Sequence, residues 1–181
     1  YDRNTQDRAA IAREIAGRRR AVIVPPFDDP MVIAGQGTIG REIVEDLCAF
    51  GLKPDVVVVG ASGGGLAAGI SLAVKNAVPD ADFYLAEPEG FDDTLRSFAS
   101  GNRERNARLS GTICDALMTN TPGELTFPIT HRLIGKGVTA SDREVEEAVA
   151  FAWRELKLVV EPGGAIGLAA LLAGRPAVKG K

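Results

Sequence analysis

The chain has 181 residues, enough for one well-packed domain and short for two. A net charge of −3, with 45% hydrophobic and 25% charged residues, fits an ordinary globular protein and speaks against a nucleic-acid surface. No apolar run approaches membrane-spanning length and the N-terminus is polar, so neither a membrane partner nor a signal peptide is expected.

Residues Thr5 to Arg18 carry apolar positions at Ala9, Ile11, Ala12, Ile15 and Ala16, which predicts an amphipathic helix. The basic cluster Arg18-Arg19-Arg20 reads as its solvated end. Ala21 to Val24 reads as a short strand halted by Pro25-Pro26. After a turn at Phe27–Pro30, Met31 to Gly40 reads as a Gly-rich connection, and Arg41 to Phe50 as a helix capped by Gly51. Four consecutive valines, Val56 to Val59, predict a strand buried on both faces in the middle of a parallel sheet. Ser62-Gly63-Gly64-Gly65 follows, then a helical segment from Leu66 to Val74. Asp82 to Glu87 reads as the next strand and Asp92 to Ala99 as a short helix. A polar loop covers Gly101 to Gly111, and Thr112 to Met118 and Pro122 to Pro128 give no clear pattern. Gly137 to Ala140 reads as a strand, and Ser141 with Glu144 as a capping box opening a helix. That helix has an apolar face of Val145, Val149, Ala152, Trp153 and Leu156. Leu158 to Val160 reads as another strand, and Glu161-Pro162-Gly163-Gly164 leads into a last helix, Ala165 to Ala173. The alternation predicts an α/β fold: an open, mainly parallel twisted sheet with helices on both faces.

Strand, glycine loop, helix is an arrangement that aims backbone N–H groups and a helix N-terminus at an anion. The small residues from Ser62 to Gly65 would let a phosphate approach the main chain closely, although a tight turn with nothing bound has the same ingredients. Gly63-x-Gly65-x-x-Ala68 also satisfies the dinucleotide-binding fingerprint, with Glu87 at the distance of a ribose-binding acid. That fingerprint usually occupies the first βα turn, and here a strand and a helix precede it. Glu87, Glu89, Asp92 and Asp93 gather oxygen ligands suited to a hard divalent cation, or form a solvated loop with a helix cap. His131 is the only histidine and reads as a packing or surface residue, because no nucleophile elbow surrounds Ser62, Ser71 or Ser97. Cys48 and Cys114 lack ligand spacing, which argues against zinc, and read as reduced thiols of a cytoplasmic protein.

Five segments, in order and at similar spacing, resemble the fold-type II pyridoxal-phosphate enzymes, nearest the threonine dehydratases and serine racemases. They are Pro26–Pro30, Ile33–Thr38, Ser62–Leu66, Pro122–Phe127 and Val160–Ala165. The resemblance implies that Ser62, Gly63, Gly64, Gly65 and Leu66 hold the phosphate of pyridoxal 5'-phosphate. Ala116 would lie beside the cofactor ring, where relatives usually have glycine, and Glu161 would match an acidic residue near the cofactor. It also implies a Mg²⁺ or Ca²⁺ site made by the carboxylates of Glu87 and Asp93 and the backbone carbonyl of Phe91.

The family's Schiff-base lysine, in a Ser-x-Lys-x-Arg-Gly context, has no match at Lys53, Lys75, Lys136, Lys157, Lys179 or Lys181. The Ser/Asn-rich substrate-carboxylate segment and the serine or cysteine facing the pyridine nitrogen are missing as well. With Tyr1 at the start instead of Met, residues 1–181 read as most of the larger, cofactor-binding domain, cut at both ends. The expected activity of the complete protein is a threonine/serine ammonia-lyase acting on a small β-hydroxy amino acid, in a homo-oligomer, with this piece alone inactive. Serine racemase and 3-hydroxyaspartate dehydratase are alternatives within the family. An NAD(P)-binding oxidoreductase domain and a catalytically silent binding domain are alternatives outside it.

Overall fold

The computed structural model describes residues 1–2 and 5–178; Lys179 and Lys181 lie outside them. Helix α1 (Arg8–Arg19) starts at Asp7, whose carboxylate accepts from the Ala9 and Ala10 amides. None of its residues is buried. The strand expected at Ala21–Val24 does not form: the segment pairs with no strand among the described residues, and Val22 is 91% exposed. β-propensity makes no strand where no neighbouring strand completes the ladder.

The Gly-rich connection expected at Met31–Gly40 is instead the first half of a 20-residue helix, α2 (Pro30–Ala49). Asp29 caps it, accepting from Met31 and Val32, and Pro30 occupies the first turn, where its missing N–H costs nothing. Its glycines serve contact. A Cβ on Gly40 would lie 2.8 Å from the Ile70 carbonyl oxygen in α3 (Gly65–Ala77), and one on Gly69 would lie 2.4 Å from that of Ile33. The two helices cross backbone to backbone, which explains a glycine stripe that sequence alone reads as a loop. Gly51 follows the helix with φ 69, as its expected cap role requires.

Strands β1 (Val56–Gly60), β2 (Asp82–Pro88) and β3 (Gly137–Ala140) form a parallel sheet in that order. Val56 is opposite Asp82 and Gly60 opposite Ala86; Leu85 then pairs with Gly137 and Pro88 with Ala140. The polyvaline strand is therefore at the side of the sheet among the described residues, mostly half-buried, and β2 is the central strand. Side chains alternate as the pleat demands. Val57, Val59, Phe83 and Leu85 join α3 in one core, with Ile70 and Val74. Val58 and Ala86 join a second core on the other face, with Val145 and Ala148 of α6 (Asp142–Phe151) and Ile166 and Ala169 of α7 (Pro162–Leu172). Helices thus cover both faces of an open parallel sheet.

Helix α4 (Asp93–Ser100) follows β2, and α5 (Thr126–Leu133) grows out of the Pro122–Pro128 segment that has no clear sequence pattern. The capping box is present: Ser141 accepts from the Glu144 amide while Glu144 accepts from Ser141. The apolar face expected along α6 breaks at Trp153, which is 63% exposed, and Leu156 is exposed too. From Ala152 to Leu156 the chain makes a π-helical turn, whose extra residue rotates both side chains out of register with Val145. Leu158–Val160, expected as a strand, is likewise unpaired, with Val159 85% exposed.

Candidate functional site

The site is built where β1 hands over to α3. Gly64 precedes the helix with φ 90, a conformation open to glycine, and offers no side-chain cap. The amides of Gly65, Leu66 and Ala67 come before any possible intrahelical acceptor. They line a cleft of about 240 Å³ together with Ser62, Gly63, Gly64, Phe27, Ala116, Leu117 and Thr119. Donors and the positive end of a helix dipole converge on this cleft, which is the chemistry that holds a phosphate.

The glycines achieve this differently from the sequence expectation. A Cβ on Gly63 would lie 2.4 Å from the Phe27 ring, one on Gly65 2.8 Å from Phe27 Cα, and one on Gly64 2.9 Å from Thr126 Oγ1. The missing side chains make room for neighbouring protein, while the main chain faces the cleft. Thr126 Oγ1 donates to the Gly63 carbonyl at 2.6 Å and the Gly123 amide does so at 3.2 Å, fixing that peptide. Asp28 in turn accepts from the amides of Glu124, Leu125 and Thr126 at 2.8–3.2 Å. Three sequence motifs far apart in the chain therefore form one bonded unit around the loop. Ser62 Oγ donates to Thr119 Oγ1 at 2.6 Å and accepts from the Thr119 amide at 3.1 Å. Thr119, Phe27 and Arg8 line the cleft without having stood out as site residues, and only Phe27 lay within a motif.

Ala116 sits on a 3-10 turn (Asp115–Leu117) at the cleft's mouth, close to Gly163. Glu161 is exposed at the start of α7 and lines an adjoining depression, which shares Gly60, Leu66 and Leu117 with the cleft. No lysine lines the cleft among the described residues. Lys75 bonds the Pro79 carbonyl, Lys136 pairs with Asp82, Lys157 bonds the Arg154 carbonyl, and Lys53 lies beside the other end of β1.

Glu87 and Asp93 lie behind the loop, 0% and 1% exposed. Glu87 accepts from the amides of Thr94 at 3.1 Å and Leu95 at 2.9 Å, capping α4 from the preceding strand. Burial, and then the neighbouring Asp93 charge, push its pKa up to about 8. Burial also raises that of Asp93 to about 6. Asp93 Oδ1 accepts from Asn106 at 2.6 Å, while its Oδ2 is buried without a hydrogen-bond partner. Phe91 is buried in the turn between them, under the Arg108 guanidinium. Among the described residues no three His, Cys, Asp or Glu side chains gather as a metal cluster, so the acidic group expected around Glu87, Glu89, Asp92 and Asp93 reduces to the Glu87–Asp93 pair.

Both carboxylate oxygens of Glu87 are taken up by amides of α4. His131 stacks on Phe127 (centroids 5.3 Å apart) and Phe98, the packing role expected of it. No helix among the described residues is long and apolar enough to cross a membrane.

The family model for pyridoxal-phosphate dependent enzymes matches residues 1–181. The chain is 39% identical over 171 residues to the L-threo-3-hydroxyaspartate ammonia-lyase of Pseudomonas sp, covering 94% of this chain and 52% of the relative. It is 35% identical over 181 residues to the serine racemase of Schizosaccharomyces pombe, covering 100% and 54%. Among solved structures, a threonine deaminase from T.th. matches with a TM-score of 0.88 at 38% identity, covering 92% of this chain and 56% of that one. The chain spans about half the length of the curated relatives it matches. On its sequence and on the fold around its glycine loop, the chain belongs to the pyridoxal-phosphate-dependent enzyme family.

Proposed function

We propose that residues 1–181 are the larger, cofactor-binding domain of an ammonia-lyase that converts a small β-hydroxy amino acid to a 2-oxo acid and ammonia. The observation that carries this is the uncapped N-terminus of α3 opening on a cleft in a chain of this family. Pyridoxal phosphate, when bound, supplies the electron sink for the carbanion left when the substrate's Cα proton departs. The residues present fit its phosphate. The amides from Gly63 to Leu66 would bind it, the Ser62 hydroxyl ties their loop to Thr119, and the Thr126 and Gly123 bonds to Gly63 hold those amides in place. Ala116 and Leu117 line the cleft where the cofactor would sit, and Glu161 lines the adjoining depression, where it would place a negative charge. Threonine or serine is the first choice of substrate, with 3-hydroxyaspartate next. Racemisation of serine is the second reading, because it begins with the same proton removal and the buried carboxylate pair supports a cation site.

On this reading a Mg²⁺ or Ca²⁺ would be held by the carboxylates of Glu87 and Asp93, chiefly through Asp93 Oδ2, since the Glu87 oxygens also accept from Thr94 and Leu95. Two buried carboxylates are costly as anions and Asp93 Oδ2 has no hydrogen-bond donor, which a hard cation would relieve, with the Phe91 carbonyl as the third ligand that the family resemblance implies. The complete protein is a cytoplasmic homo-oligomer on this reading, in keeping with two unpaired cysteines. It also contributes the lysine that performs the proton transfers.

Titration of this chain with pyridoxal phosphate, followed by borohydride, tests the assignment. Saturable binding competed by inorganic phosphate, with no covalent mass increase, is expected. Absence of binding, or displacement by a nicotinamide dinucleotide instead, would overturn it.

A further inference from the structure

Between the buried carboxylates and the glycine loop runs one continuous set of hydrogen bonds, and Asn106 is its centre. The Asn106 side chain is buried and uses both ends of its amide. Its Nδ2 donates to Asp93 Oδ1 at 2.6 Å and to the Thr119 carbonyl at 3.0 Å, and its Oδ1 accepts from Arg96 at 2.8 Å. Its backbone amide donates to the Asn120 carbonyl at 2.9 Å, so two consecutive residues of the segment carrying Thr119 are held. Thr119 then exchanges two bonds with Ser62. From Asp93 to Ser62 every link is a direct contact of 3.1 Å or less.

We infer that Asn106 is a positioning residue that joins the Glu87–Asp93 pair to the phosphate-binding loop, so that a cation on Asp93 changes how firmly Ser62 is held. The inference rests on the reading of that loop as the phosphate site. Asp93 divides its oxygens between the two roles. Oδ1 is committed to Asn106, and Oδ2, buried and unpartnered, is the atom left to meet a cation. Drawing the Asp93 carboxylate toward a cation moves the acceptor that orients the Asn106 amide. The Thr119 carbonyl shares the same nitrogen and must follow. Buried networks of this kind transmit because each member has no solvent to substitute for its partner.

The test uses the complete protein, stripped with chelator, with pyridoxal phosphate and Mg²⁺ as probes. In the wild type, Mg²⁺ should tighten pyridoxal phosphate binding roughly fivefold or more and shift the ³¹P resonance of the bound phosphate. In Asn106→Ala both responses should vanish, and Ser62→Ala added to it should weaken binding by less than Ser62→Ala does alone. Asn106→Leu, close in size and without the amide that bonds Asp93 and Thr119, should also blunt the Mg²⁺ response and stands in if Asn106→Ala does not fold. A Mg²⁺ response that persists in a folded Asn106→Ala or Asn106→Leu protein overturns the relay. A wild type that binds the cofactor indifferently to Mg²⁺ overturns it too, leaving the phosphate site intact. A wild type that binds no pyridoxal phosphate overturns the loop assignment itself, and the relay with it.

Discussion

Phe27 lies flat against the place where Gly63 would carry a side chain: a Cβ there would be 2.4 Å from the ring. The glycine loop is therefore packed against an aromatic residue that precedes α2 and also lines the cleft. Gly63→Ala must either displace Phe27 or bend the loop, at a cost of about 1–3 kcal/mol. A lowered Tm together with roughly tenfold weaker pyridoxal phosphate binding is expected. Calorimetry and a cofactor titration check the two separately, and normal affinity at lowered Tm would show that the loop's amides are not set by this contact.

Stability should respond to pH through Glu87 and Asp93. Both pKa values are raised, from 4.5 to about 8 and from 3.8 to about 6, chiefly by burial. The native state therefore holds protons that the unfolded chain has released across this range. The contribution is complete below the ordinary values and is lost as pH rises through about 6 and then about 8. In chelator, Tm should fall between mildly acidic and mildly alkaline buffer, and Glu87→Gln should flatten the alkaline part of the decline. Mg²⁺ should act in the opposite sense, favouring the ionised pair and restoring Tm at high pH. A Tm that rises across the same interval without metal would contradict the argument.

The α2–α3 crossing makes its own demand. Gly40→Ala would bring a methyl group to 2.8 Å from the Ile70 carbonyl oxygen and 3.0 Å from the Ala73 side chain. Backbone cannot yield as a side-chain tip can, so a loss of about 1–3 kcal/mol is expected from denaturant unfolding. Gly35→Ala on the same helix has open space around it and should be neutral or slightly stabilising through helix propensity. Equal effects at the two positions would refute the close-crossing account.

Periodicity located what periodicity encodes. The helix after the glycine loop, the strand to Glu87 and the Ser141–Glu144 capping box all formed close to where the residues placed them. The misreadings share a cause, which is that partners decide. Gly37 and Gly40 look like a loop until α3 is laid against them, and Ala21–Val24 looks like a strand until no neighbour is found among the described residues. Trp153 looks like core until a π-helical turn rotates it outward. At the site, the glycine loop was legible as a strand-to-helix turn, and the structure opens it on a cleft. The bonds of Asn106 to Asp93 and Thr119 were not legible, because a single asparagine in a polar loop has no pattern of its own. Asp28 was visible only as part of a motif, and its work becomes apparent when the Pro122–Phe127 segment arrives beside it.

Asp28 and its neighbour Asp29 also carry information about the order of assembly. Asp29 closes on residues two and three positions ahead and can form as soon as α2 does. Asp28 reaches amides 96 to 98 residues away, so its contacts wait upon closure of most of the chain. Asp28→Ala, at about 1–2 kcal/mol, should then speed unfolding and leave the refolding rate nearly unchanged, whereas Asp29→Ala should slow refolding if α2 belongs to the nucleus. Two adjacent carboxylates of one turn would thus report from opposite ends of the folding pathway, and stopped-flow chevrons of the two variants would tell them apart.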